Sequence, residues 1–421
     1  VSPSDFEWSN KMELNAFNQQ TLLISDDGKK VFFFIEEKTT YANQIDQPVH
    51  WKTDDIHLSP TKKGKRKQQF VTWWPNSNQV KVIADNYETI KILVGNQDYA
   101  ITADIKPYSP TFKLHSDEDI YVTNLNTGEK KVVIKQYVSE SPKMQSSPSG
   151  NFIAYFKEAN WWVYDVLNDK HIIATDSAQS NFQLEQHEYN TVAPSYGFGG
   201  WSPDEKIMYV YDKFDIWACS INDKTNKRLT KGKEKKLQLR FHFPLENNII
   251  RTAHFNQHAN NIDLKGGEIL YGSSEDFEQN GYFLLHEGKV EDEIVVMKQK
   301  LKNMIKAQNN NGYIYTKEDT DLPPVLVWQE GMSKKKQDIF HSNKHYVKYG
   351  TSKSVRIEYN NSEGKKINGI LFYPFNYNPN YKYPMVVYIY EKLISHLHLY
   401  VNPTVYEYVG FNLTDYTSQG Y

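Results

Sequence analysis

One short unit recurs along this chain, a tight polar turn followed at once by an apolar strand. It reads Ser25-Asp26-Asp27-Gly28-Lys29-Lys30 and then Val31-Phe32-Phe33-Phe34-Ile35. It returns as Trp74-Pro75-Asn76-Ser77-Asn78 before Val80-Lys81-Val82-Ile83, and as Ser147-Pro148-Ser149-Gly150-Asn151 before Phe152-Ile153-Ala154-Tyr155-Phe156. A fourth copy is Trp201-Ser202-Pro203-Asp204-Glu205-Lys206 before Ile207-Met208-Tyr209-Val210-Tyr211. Weaker echoes stand at Gly266 and Gly312. Proline presets φ in such a turn, Ser, Asp and Asn cap it, and Gly accepts a positive φ. The residues that follow are β-branched or aromatic and suit a pleated, half-buried surface. The marks Gly28, Asn78, Gly150, Glu205, Gly266 and Gly312 lie 46 to 72 residues apart, room for four short strands each. Further strand signals follow, as in Trp161–Val166 and Asp215–Ile221, each leading into a polar turn. One such unit alone is an ordinary hairpin. A series with the same internal order is the pattern of propeller blades. The expected fold is mainly β, a β-propeller over residues 1–350. Its blade number is open, roughly six to eight in the intact protein, and its first blades are not necessarily all included.

The remaining composition narrows the function classes. Lys and Arg number 49 against 51 Asp and Glu, a net charge of −2. A nucleic-acid binder would carry a basic excess on one face, so no nucleic acid partner is expected. No run reaches the ~18 apolar residues of a membrane helix. Aromatic residues make up 14% of the chain, including 30 Tyr and 9 Trp, the opposite of a disordered composition. Cys219 is the single cysteine, which excludes an intrachain disulfide and a cysteine-based zinc site. The chain starts at Val1 without a signal-peptide pattern, and both ends read as those of a fragment. Helical signal is scarce. Residues 291–307 carry apolar positions near helical spacing, with strand-turn-strand as the alternative.

Past residue 350 the texture changes. Val355–Tyr359 and Ile367–Pro374 read as a hairpin closed by Ser362-Glu363-Gly364-Lys365, and a loop rich in Asn, Tyr and Pro follows. Tyr383-Pro384-Met385-Val386-Val387-Tyr388-Ile389-Tyr390 is a near-continuous apolar run, the pattern of a strand buried on both faces in a parallel sheet.

This stretch resembles the opening of the catalytic domain in the prolyl oligopeptidase and dipeptidyl peptidase IV-like serine peptidases, in which a propeller precedes an α/β-hydrolase domain. The likeness rests on Leu371-Phe372-Tyr373-Pro374, a short loop, and Lys382-Tyr383-Pro384 with its apolar run. The blade turns at Ser147 and Ser202 are similar to those of that family, loosely, over most of the chain. The resemblance implies that residues 351–421 are the first strands of an α/β-hydrolase domain. It implies a peptide substrate in the intact protein, no cofactor and no metal. It also implies that Tyr390 is an oxyanion donor, as in the prolyl oligopeptidase branch. Two departures stand against it. Glu391-Lys392-Leu393 occupies the place where the family often has Gly-Gly. The Ser, Asp and His of the triad, in that order in α/β-hydrolases, are not found: no Gly-x-Ser-x-Gly occurs. The nearest sequence, Pro194-Ser195-Tyr196-Gly197, lacks the first Gly and runs into a blade turn.

The other constellations read as structural. His254 and His258 have zinc-helix spacing without the catalytic Glu. His396 and His398 would share one face of a strand, with no third ligand. Lys62-Lys63-Gly64-Lys65-Arg66-Lys67 reads as an exposed loop, and the acidic runs Asp117–Asp119 and Glu291–Glu293 as solvated turns. The pairs Trp73-Trp74 and Trp161-Trp162 read as packing between blades. The leading reading is therefore the non-catalytic, propeller-containing portion of such a peptidase. The alternatives are a propeller scaffold for protein or glycan partners, and a family member with a decayed site. Oligomeric state is open. Lys and Asn content suggests an AT-rich bacterial genome, with export favoured over the cytoplasm.

Overall fold

The computed structural model describes the chain except for residues 1–10, 15–21, 39–67, 85–87, 96, 110, 112, 114, 139–143, 176–179, 186, 188–190, 224, 244–259, 334, 350–351, 390–392, 403 and 405–411. It falls into two compact units. One comprises Val1–Lys213, Trp217–Arg228 and Ile249–Ile262, and the other Phe214–Ile216, Leu229–Asn248 and Asp263–Tyr421.

The first unit holds four antiparallel sheets among the described residues. In the first, β1 (Met12–Leu14) and β2 (Leu23–Ile24) both pair with β3 (Val31–Glu37), followed by β4 (Gln68–Trp74) and β5 (Gln79–Ala84). The second runs β6 (Glu88–Val94), β7 (Tyr99–Asp104), β8 (Asp117–Asn124), β9 (Lys130–Val138). The third is β10 (Gln145–Ser146), β11 (Phe152–Lys157), β12 (Asn160–Asp165), β13 (Lys170–Ile173). The fourth is β14 (Phe198–Trp201), β15 (Ile207–Tyr211), β16 (Ile216–Ser220), β17 (Asn226–Arg228). The second unit adds a fifth sheet, β18 (Leu237–Phe241), β19 (Glu268–Ser274), β20 (Asn280–Leu285), β21 (Asp292–Met297). Its sixth is β22 (Lys300–Lys306), β23 (Gly312–Asp319), β24 (Leu322–Glu330), β25 (Lys336–His341), and a hairpin follows, β26 (Ser354–Asn360) with β27 (Lys366–Phe372). The helices are short, α1 (Gly232–Lys235) and α2 (Leu413–Ser418). The chain is mainly β, built from successive antiparallel sheets of four or five strands.

Burial explains the strand order. Middle strands such as β11 are buried on both faces, whereas the last strands β13 and β25 are largely or wholly exposed. Neighbouring sheets supply the second cover. Phe32, Phe70, Leu93 and Ala100 form a core between the first and second sheets. Ile101, Ile120, Ile153 and Tyr155 do so between the second and third, and Trp161, Trp201, Met208 and Val210 between the third and fourth. In the second unit Tyr282, Val295, Tyr315 and Val327 join the fifth and sixth sheets. Trp161 lies in the core toward the fourth sheet, while Trp162 packs toward the second, as alternation along a strand requires.

The repeated turn has one geometry. In the turns from Ser25, Ser147, Ser202 and Ser274, the Ser N–H donates to the carbonyl five residues on, and the N–H of residue four donates back to the Ser carbonyl. The Ser hydroxyl accepts from the N–H of the sixth residue: Lys30 at 2.9 Å, Phe152 at 3.2 Å, Ile207 at 3.0 Å and Gln279 at 3.0 Å. Residue four takes a positive φ in every case: Gly28 +69°, Gly150 +81°, Glu205 +56° and Phe277 +57°. This is a type I turn closed by a left-handed residue, a favoured hairpin connection.

Within the first unit these turns are stitched to one another. Asp26 N–H donates to Gln97 Oε1 at 2.9 Å, and Gln97 Nε2 returns to Asp26 Oδ2 at 3.1 Å. Gly95 N–H donates to Ser146 Oγ at 2.9 Å, and Ser149 donates to Glu205 from its N–H at 2.6 Å and its hydroxyl at 2.5 Å. One end of four successive sheets is thereby tied in series.

Two expectations need correction, and the two readings of residues 291–307 resolve to strand-turn-strand. The Trp74–Asn78 turn joins β4 and β5, the last two strands of the first sheet, so it does not begin a new one; the second sheet turns between Val94 and Tyr99 instead. Residues 291–307 are β21 and β22, because Val295 and Leu301 face a sheet-to-sheet core that alternation serves and a helix would not. Asp117, Glu118 and Asp119 are buried in β8 rather than solvated. Lys113 and Gln136 satisfy Asp117, and Tyr108 and the Gln136 N–H satisfy Asp119. Glu291 is likewise buried, paired with Lys235 and accepting from Lys231 N–H, which fastens α1 to the fifth sheet.

Candidate functional site

The stretch that leads to Tyr390 is anchored at its start. Ser352 Oγ donates to the Tyr373 carbonyl at 2.6 Å, and Tyr373 N–H donates to the Lys353 carbonyl at 2.8 Å. The rings of Tyr373, Tyr377 and Tyr383 follow one another at 4.5 and 5.4 Å. Tyr383 Oη accepts from Asn378 N–H at 3.0 Å, and Phe375 N–H donates to Thr417 O of α2 at 2.9 Å. Asn412 caps α2, its Oδ1 accepting from Thr414 and Asp415 N–H. The chain is thus held up to Tyr383.

Beyond it the expected buried strand is absent. Residues 384–389 pair with no strand. Met385, Val387 and Ile389 are 72, 65 and 86% exposed, and Val386 and Tyr388 are each 45% exposed. A strand covered on both faces needs neighbours on both sides and helices above and below. Among the described residues this chain supplies β26, β27 and one short helix there. Tyr390, with Glu391 and Lys392, lies outside the described residues.

A polar constellation that local sequence did not signal lies in the second unit. Arg356 of β26 donates through Nε to Glu278 Oε1 at 2.9 Å, lies 3.8 Å from Asp276, and donates through its terminal nitrogen to Asn368 Oδ1 at 3.1 Å. His398 places Nδ1 at 3.0 Å from Asp319 Oδ1 and Nε2 at 3.2 Å from the Glu278 carbonyl. The hydroxyls of Thr320 and Ser354 are 2.8 Å apart, and both reach the Leu397 carbonyl, at 3.2 and 2.5 Å. Burial, and then the charge of Asp319, pushes the Asp321 carboxyl up. Apart from Arg356 and Asn368, 12 residues apart in one hairpin, the partners are 34 to 120 residues apart, which is why no motif announces them.

The remaining candidates are structural. Ser195 Oγ accepts from Gly197 N–H at 3.1 Å, as in a local turn, and no helix follows it. Residues Ile394–His396 form a short 3-10 helix, so His396 and His398 do not share a strand face. Among the described residues no three His, Cys, Asp or Glu side chains gather as a metal would require. No described helix is long and apolar enough to cross a membrane. His254, His258 and the basic run Lys62–Lys67 lie outside the described residues.

No family model matches the chain, and no curated protein matches it. Solved structures similar to it include a prolyl endopeptidase, at 11% identity and a TM-score of 0.43 over 89% of this chain and 48% of that one. Another is a proposed dipeptidyl aminopeptidase IV from Bacteroides ovatus, at 12% identity and a TM-score of 0.42 over 86% and 46%. A third is prolyl oligopeptidase B from Galerina marginata, at 10% identity and a TM-score of 0.38 over 88% and 48%. This chain spans about half the length of each.

Proposed function

We propose that this chain is the propeller-bearing portion of a peptide-hydrolysing serine peptidase of the prolyl oligopeptidase and dipeptidyl peptidase IV-like group. In this reading residues 1–350 form the propeller and residues 351–421 open an α/β-hydrolase domain. The observation that carries it is the uncovered run Met385–Ile389 standing directly after a series of blade-like sheets and a hairpin. Five apolar residues open on both sides are what a central parallel strand presents without its sheet. In the intact enzyme a serine attacks the peptide carbonyl and a histidine relays the proton, while Tyr390 and backbone N–H groups hold the oxyanion. The propeller admits short peptides to the site.

The 421-residue chain, with no Gly-x-Ser-x-Gly, is expected to be inactive by itself. The test is to offer the purified chain short chromogenic peptides and a fluorophosphonate label. No turnover and no labelling are expected, and cleavage above a buffer control refutes the non-catalytic reading. Family membership is tested separately, in the gene sequence that follows the codon for Tyr421. A reading frame without a Gly-x-Ser-x-Gly and later Asp and His refutes it.

A further inference from the structure

Three threonine hydroxyls of the first unit have no protein partner. They are Oγ1 of Thr72 in β4, Thr102 in β7 and Thr123 in β8. Thr72 and Thr102 are fully buried, and Thr123 is 6% exposed. Strand register brings all three to one seam. Thr72 stands opposite Phe32 and two residues from Phe70, on the face of the first sheet that shares a core with Leu93 and Ala100. Ala100 is opposite Thr123 and two residues before Thr102, so alternation turns both threonines toward that core from the second sheet.

Their spacing suits a shared small ligand. Thr102 is paired with Tyr121, which makes Thr123 its diagonal neighbour across β7 and β8. Diagonal neighbours have β-carbons somewhat under about 7–8 Å apart. Two hydrogen bonds of about 2.8 Å through one atom span the gap between such hydroxyls. The side chain beside both is Ala100, which leaves room that a larger residue would fill.

The chemistry of the seam selects what fits. A hydroxyl both donates and accepts, so its partner must do the same or be replaceable in either role. The core around the three threonines is apolar, with Phe32, Phe70, Leu93 and Leu125 in it. A neutral molecule of about one heavy atom is therefore favoured over an ion. Buried polar groups that lack a protein partner are met by ordered water, and a buried water ordinarily takes about three partners. We propose that the seam between the first and second sheets is an internal hydration site. One water bridges the hydroxyls of Thr102 and Thr123, and Thr72 completes its set of partners from the facing sheet. The seam is then closed by hydrogen bonds as well as by apolar contact, with β4, β7 and β8 meeting at one molecule.

The test uses the full chain. With its threonine methyls isotopically labelled, cross-relaxation from a long-lived water to the methyls of Thr102 and Thr123 is expected, and its absence at either overturns the proposal without any variant. Valine keeps the shape of threonine and removes the hydroxyl. Thr72→Val, Thr102→Val and Thr123→Val are each expected to lower Tm by about 2–4 °C, the scale of one net hydrogen bond in a unit of this size. Thr102→Val with Thr123→Val is expected to lose less than the sum, because either change alone dislodges the water they share. A bare hydroxyl gives the opposite sign, since removing it relieves an unfavourable burial. An unchanged or raised Tm in any single variant, or a double loss equal to the sum, overturns the proposal.

Discussion

Gly200 offers a sharp test of how the fourth sheet is closed. Its φ is +147°, at the bulge where the register of β14 slips between Phe198 and Gly200. A Cβ added there would lie 2.5 Å from the Asn260 carbonyl oxygen and 2.8 Å from Ile262 Cγ1. Neither neighbour is free to swing away. Trp201 N–H donates to that same Asn260 carbonyl at 2.8 Å, and Ile262 N–H donates to the Trp201 carbonyl at 2.8 Å. Gly200→Ala therefore carries two costs. The backbone conformation costs about 1–3 kcal/mol for a residue with a side chain. The overpacking costs about 1–3 kcal/mol more. Gly28→Ala is the matched control, because Gly28 also has a positive φ of +69° but nothing within 4 Å of the added carbon. It should show the backbone cost alone, about 1–2 kcal/mol. Calorimetry at one scan rate compares the two, with about 2–4 °C of Tm expected per kcal/mol for a unit of this size. Gly200→Ala should melt several degrees below Gly28→Ala, and its Trp201 and Ile262 amides should exchange faster. A loss no greater than that of the control would refute the steric argument.

Three further outcomes follow from single groups. Ser202→Ala removes the acceptor of Ile207 N–H and the donor to Asp204 at 2.6 Å, and should cost about 1 kcal/mol in urea unfolding; an unchanged midpoint counts against the turn's role. Burial pushes the Cys219 thiol up to about 12, so the native chain should resist a thiol reagent at neutral pH and react fully once unfolded; stoichiometric labelling of the native chain contradicts this. Asp27 is held down to about 2, chiefly by the Ser25 hydroxyl and then by Lys29 N–H. The folded value lies below the unfolded one, so its contribution is present above 3.8 and is lost as pH falls through about 2. The stability difference between wild type and Asp27→Asn should close over that interval, and a constant difference would exclude the linkage.

The turns were legible because their chemistry is local. Ser25, Ser147 and Ser202 each solve one hydrogen-bonding problem within six residues, and the residue types show it. Ser274 solves the same problem, but with Phe277 at the left-handed position nothing in composition marks it. The turn after Val94 escaped for a related reason, since its Gly95 N–H bonds Ser146 of the third sheet rather than a serine of its own. The pattern at 291–307 was ambiguous because short apolar runs satisfy both periods until a core is present. Burial of Asp117–Asp119 was hidden because the satisfying groups, Tyr108, Lys113 and Gln136, include one on the neighbouring strand β9. The Arg356 and His398 constellation is assembled wholly by tertiary contact. The peptidase resemblance came from Leu371–Pro374 and Tyr383–Tyr390, and the residue it singled out, Tyr390, is outside the described residues.

The serial ties between turns also carry a mechanical meaning. Gln97, Ser146, Ser149 and Glu205 connect neighbouring sheets as rivets join plates along one rim. A load drawn along that rim passes through each joint in succession, so the weakest of them sets the tension at which the row parts. Cutting the Ser149 to Glu205 joint would leave the fourth plate held to the third only by the core of Trp161, Trp201, Met208 and Val210 and by the chain between them. The outer strand β13 has a joint of its own to the second plate, where Lys131 of β9 pairs with Asp169 beside it, so that edge shares the load.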